Sequence, residues 1–140
     1  MKKIIGIILF IIIGTNLQAG FGRLDFVATN HGIYYFKNVR HGFSAFLIGI
    51  EENGEMRKFS KTDIIAYTKN GKQYEKMPLF DKNKNYKGDF FMELVKTENG
   101  VKVYKHNTFD KETDQFHYLV FRNKTYLGEI KNLKNISRFY

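Results

Sequence analysis

Four histidines, His31, His41, His106 and His117, are the side chains of this 140-residue chain best suited to move protons near neutral pH. Beside a carboxylate, two histidines can work as general acid and base in hydrolysis. Glu93, His106, His117 and Arg122 are the candidate set for such a ribonuclease-like reaction. The set works only if strand register brings Glu93 and His106 together near the open end of one hairpin. The competing reading of each is a polar strand residue facing water. No metal site is expected, because no histidine has a His, Cys or carboxylate two residues away along a strand. No cofactor is implied either.

Other chemistries fail on residue type. The chain has no cysteine, which excludes thiol catalysis, disulfides and lipid attachment through an N-terminal Cys. Its serines are Ser44, Ser60 and Ser137, and GFSAF at 42–46 lacks the second glycine of a nucleophile elbow. No phosphate-binding glycine loop occurs. Asp81, Asn83 and Asn85 alternate as in a calcium loop, and so do Asp110, Glu112 and Asp114. Both segments lack the glycine and the glutamate such loops need, and Lys82, Lys84 and Lys87 repel a cation. Solvated loops between strands are expected there.

Charge is the next candidate signal. The formal net charge is +9, which favours anionic partners. Lys69, Lys72, Lys76, Lys82, Lys84 and Lys87 form the densest basic stretch and are the candidate binding residues, diluted by Glu75, Asp81 and Asp89. Only 5 of the 23 basic residues are Arg, the better residue for bidentate phosphate contacts. A diffuse field therefore fits better than specific recognition of nucleic acid. The 14 Phe and 9 Tyr residues are expected mainly to fill a core that has neither Trp nor disulfides.

The elements that must position these residues read as strands. Asn53-Gly54, Asn70-Gly71 and Asn99-Gly100 stand between apolar or alternating runs, the strongest short hairpin signal. They predict pairing of 43–50 with 55–59, of 64–68 with 72–77, and of 90–95 with 101–106. Asn123-Lys124 predicts a fourth hairpin, 115–122 with 125–130. Strands at 24–28 and 33–38 precede these, joined by Asn30-His31-Gly32. Short helices are placed at 61–65 and 132–137. Apolar residues occupy both faces of the last strands, as expected of a sheet covered on both sides or curled. The expected fold is all-β, an antiparallel meander closing into a small barrel or sandwich.

DIIAY at 63–67, FFMELV at 90–95, NGVKVYKH at 99–106 and YLVF at 118–121 carry a resemblance. They look like strands of small exported, β-rich, uncharacterised proteins of Gram-negative bacteria. The resemblance covers the middle half of the chain after residue 19. It implies a secreted β fold and supplies no active site.

The first nineteen residues, MKKIIGIILFIIIGTNLQA, have the three-part plan of a secretory signal peptide. Their apolar run is too short to span a bilayer, which takes about 20 residues. Cleavage after Ala19 would leave 20–140 as a single antiparallel β domain with no transmembrane span, in the periplasm or secreted. These features point to a non-catalytic binder of an envelope or extracellular protein, or of an anionic envelope component, of inhibitor or immunity type. The alternative is a small secreted hydrolase or nuclease using His and Glu.

Overall fold

The computed structural model describes residues 24–42, 45–107 and 116–140, so the expected signal peptide lies outside the described residues. The chain is all-β and antiparallel. Its strands are β1 (Asp25–Thr29), β2 (Gly32–Phe36), β3 (Asn38–His41), β4 (Phe46–Ile50), β5 (Met56–Ser60), β6 (Ile64–Lys69), β7 (Lys72–Phe80), β8 (Tyr86–Glu98), β9 (Val101–Asn107), β10 (Phe116–Arg122) and β11 (Thr125–Ile130). A 3-10 helix, Leu133–Phe139, comes after β11. Two compact units divide inside β7, between Tyr74 and Glu75.

Turn chemistry explains most of the strand boundaries. Asn70 and Gly71 have φ of 53° and 77°, and Asn99 and Gly100 have 50° and 75°. Positive φ at both central residues is the requirement of the tight hairpin turn that Asn-Gly favours. Asn53-Gly54 differs: only Gly54 is left-handed, and a wider loop separates Ile50 from its partner Met56. There the Asn53 side chain accepts from the Glu55 N–H at 2.9 Å. The helix expected at 61–65 is a turn leading into β6, closed by Asp63 N–H on the Ser60 carbonyl at 3.0 Å. The helix expected at 132–137 forms as 3-10, capped by Asn132, whose side chain accepts from the Lys134 N–H at 3.0 Å. Strand β3 has no counterpart in the expected pattern. The chain bends at Lys37 and joins β3 to a separate three-stranded sheet, β3-β4-β5.

In the first unit, β6, β1 and β2 lie in that order, and β1 is buried along its whole length. Phe26, Ala28 and Ala66 form a small core on one face. On the other face, β3-β5 is layered over β1, β2 and β6. Gly49 of β4 sits on the Phe36 ring, where an added Cβ would lie 2.5 Å from ring carbons. Phe36 meets Phe59 edge-on at 5.6 Å, and His41 meets Tyr67 at 5.9 Å.

The second unit is a five-stranded ladder in the order β11-β10-β9-β8-β7. One face carries Met77, Met92, Tyr104, Leu119 and Phe121. The other carries Val101, Val103, Val120 and Ile130, packed against Ile136 of the 3-10 helix. The ladder curls over the first of these cores. Phe80 of β7 stacks on Tyr126 of β11 at 5.9 Å, and Lys124 of the last hairpin turn donates to the Lys76 carbonyl of β7. Side chains make these contacts; neither unit closes into a barrel among the described residues.

Gly49→Ala is expected to destabilise the fold by about 1–3 kcal/mol, the usual cost of overpacking. Phe36→Leu should remove much of that penalty when the two changes are combined. Denaturant melts of the two single variants and the double variant measure the coupling; additive costs would show that Gly49 and Phe36 are not in contact.

Candidate functional site

Two β-bulges decide which carboxylate reaches the histidines. Close to the Asn99-Gly100 turn, Glu98 pairs with Val101 and Thr97 with Lys102. Counting outward at that register would set Glu93 opposite His106. A register shift between Leu94 and Lys96 pairs Glu93 with Lys105 instead. Paired residues share a face and neighbours alternate, so Glu93 lies on the face opposite His106. In the last hairpin, Arg122 pairs with Thr125 and Phe121 with Tyr126. At that register Gly128 would face Leu119. A second shift, between Val120 and Phe121, places Glu129 opposite Leu119, on the face that carries His117.

The result is a cluster of His106, His117 and Glu129. His106 and His117 are direct partners across β9 and β10. Glu129 is bonded to His117 Nδ1. That bond orients the ring with Nε2 pointing away from Glu129, the arrangement of a carboxylate-oriented base. Burial lowers the pKa of His106 first, and the neighbouring His117 lowers it further. Its Nε2 is buried without a hydrogen-bond partner among the described residues, and its ring lies 5.7 Å from Phe90. Arg122 is on the other face of β10, where it donates to the Phe139 carbonyl at 2.8 Å and ties down the 3-10 helix. No group of three metal-ligating side chains occurs among the described residues.

At the opposite end of the same face, Glu75 is buried between Tyr104 and Lys102. The Tyr104 hydroxyl donates to it, and Lys102 Nζ lies 3.1 and 3.4 Å from its two oxygens. Burial, then Glu75, pushes the Tyr104 pKa far up. Lys124 is an exposed residue whose ammonium end is tucked in, 3.5 Å from the Met77 sulfur. Desolvation lowers its pKa, opposed mainly by Glu75. This network holds the curl of the ladder together.

The expected basic residues fall in several places. Lys69 and Lys72 flank the Asn70-Gly71 turn. Lys76 lies over the Phe91 ring at 5.2 Å. Lys82, Lys84 and Lys87 surround the β7–β8 loop, with Lys87 3.4 Å from Asp81. The calcium-like pattern there serves the backbone. Asp81 accepts from the N–H groups of Asn83 and Asn85 at 2.8 and 2.9 Å. Chiefly the Asn85 bond holds its carboxyl below the ordinary value.

In the first unit, a groove of about 340 Å³ is lined by Asp25, Lys37, Asn38, Asn70 and Gly71. Asp25 is 7% exposed. Its Oδ2 accepts from the Val39 N–H at 3.2 Å, and its Oδ1 from the Thr68 hydroxyl at 3.1 Å. Thr68 in turn accepts from the Phe26 N–H at 2.8 Å. Burial raises the Asp25 pKa, and the bonds from Thr68 and then Val39 oppose the rise.

The residues that sequence reasoning missed are Glu129 and Asp25. An unbroken hairpin count puts Glu129 on the wrong face, so only knowledge of the bulge could have recruited it. Asp25 starts DFVAT, ahead of three apolar residues. A charged residue in a fully buried strand was the available signal. No protein-family model, curated protein or solved structure matches the chain.

His106 generates a pH prediction. A folded pKa below the ordinary 6.5 means that unfolding takes up a proton. Its contribution to stability is full above 6.5 and is lost as pH falls through the lowered folded value. The difference in unfolding free energy between the wild type and His106→Gln should therefore shrink on acidification from pH 7. Parallel pH profiles would show that His106 is not held neutral by the fold.

Proposed function

We propose that this is an exported, non-catalytic binding protein, acting in the periplasm or outside the cell on another protein or an envelope component. The three-part plan of residues 1–19 supports export. The single observation that carries the binding reading is the register of β8. It turns Glu93 away from His106 and His117, and Arg122 is engaged with the 3-10 helix. Within the first unit, the layering of β3-β5 over β1, β2 and β6 favours the sandwich form of the expected closure. The candidate lysines, spread over the Asn70-Gly71 turn, β7 and the β7–β8 loop, supply a diffuse positive field rather than a built anion site.

A second reading is favoured by one observation. Glu129 orients His117, and His106 stands directly across the ladder. Bulges near active sites commonly re-aim a side chain in this way. A hydrolase would use His117 as the base, Glu129 as its positioning residue and His106 as the second imidazole.

Incubation of the protein with RNA, DNA and peptidoglycan tests the two readings. No turnover is expected, and RNA retention should fall steeply between about 50 and 200 mM salt without sequence preference. Turnover that disappears in His117→Ala and Glu129→Gln, but survives in Glu93→Gln, would replace the binding reading with the hydrolase.

A further inference from the structure

The groove at Asp25 is built from unlike charges that do not satisfy each other. The buried Asp25 and the exposed Lys37 both line it, and no ion pair joins them among the described residues. A carboxylate offers about four lone-pair sites. Val39 and Thr68 each use one, on different oxygens. Acceptor capacity therefore remains on the carboxyl. The exposed carboxamides of Asn38 and Asn70 add donors and acceptors on the same lining. Gly71 has nothing within 4 Å of where a Cβ would stand, so the turn leaves that wall open.

We propose that this groove binds a small zwitterion of the α-amino acid class, with its ammonium on Asp25 and its carboxylate on Lys37. The inference rests on the binding reading, since nothing is transformed at the groove. Competing ligand classes fit less well. A divalent cation would meet one carboxylate and a lysine, too few oxygens and a like charge. A sugar would find no aromatic ring in the lining to stack on. An inorganic anion would be held over a buried carboxyl. A zwitterion places a charge of the right sign at each end, and it offsets the cost of a buried carboxyl that has no cation beside it. The volume accommodates a small amino acid together with a few waters.

The test is a titration of the full chain followed by backbone amide resonances, with L-alanine, propylamine, propionate and glucose as probes. L-alanine should move the signals of Asn38, Asn70 and Gly71 saturably. Propylamine and propionate, each with one charge, should bind at least about tenfold more weakly. Lys37→Ala, at an exposed position, should reduce L-alanine to the affinity of propylamine and leave propylamine unchanged. Asp25→Asn should abolish both, with circular dichroism reporting whether that variant folds. If it does not, the Lys37 comparison decides alone. No saturable shift at the three residues, glucose binding as tight as L-alanine, or indifference to Lys37→Ala would each overturn the proposal. Any of those outcomes without substrate turnover leaves the broader binding reading standing. Turnover dependent on His117 removes that reading instead.

Discussion

The first unit depends on a carboxyl that is expensive to bury. Asp25 starts β1, where every residue is buried, and it has two bonds to hold it there. One comes from the backbone of β3, the other from the side chain of β6. Thr68 donates to Asp25 with its hydrogen and accepts from Phe26 with its oxygen. A single hydroxyl thereby satisfies a buried acceptor and a buried backbone donor. Together these bonds join β1 and β6 to the sheet layered over them. A chain without cysteine cannot use a disulfide for this purpose, and a directional polar link fixes register in a way that apolar contact alone does not. The arrangement also carries a cost. Because burial raises its pKa above 3.8, Asp25's contribution to stability is full below 3.8 and is lost as pH climbs through the raised value. Near neutral pH the carboxyl works against folding. Retaining such a group where it opens into a groove fits a trade of stability for recognition.

The second unit applies the same physics with a different outcome. Its buried carboxylate, Glu75, has a tyrosine hydroxyl and an ammonium in contact, so its charge is matched. It links β7 to β9 while Lys124 brings the last turn back to β7. The two buried carboxyls thus differ in their partners: Glu75 has an ammonium in contact, and Asp25 has only hydrogen-bond donors. The two bulges add a further layer. Each moves one carboxylate by a single position along its strand, and side-chain alternation converts that step into a change of face.

Much of the fold was legible in the sequence. Asn-Gly pairs marked the hairpins because those residues tolerate the backbone that tight turns require, and alternation marked the strands between them. Strand β3 was hidden because no glycine or proline marks the bend at Lys37. A distant contact sets that bend, since Val39 must reach Asp25 fourteen residues earlier in the chain. The candidate site was less legible for a physical reason. Histidines are visible in any sequence, but the carboxylate that meets them depends on bulges that arise from packing along whole strands. Glu93 was the natural choice on an unbroken ladder, and Glu129 takes its place on the real one. Gly49 gave no local sign either, because the ring that excludes a side chain there comes from Phe36 on another strand.

The most direct measurement of the role of Asp25 is the unfolding free energy of Thr68→Val. The change keeps the branched shape and puts a methyl in place of the hydroxyl. It leaves the Phe26 N–H without its acceptor and Asp25 Oδ1 without its donor, both in buried surroundings. Each orphaned group costs about 1–3 kcal/mol. A loss of about 2–6 kcal/mol is expected at neutral pH. A variant within about 0.5 kcal/mol of the wild type, the range of a change at an indifferent surface position, would contradict the central role assigned to Asp25 and Thr68.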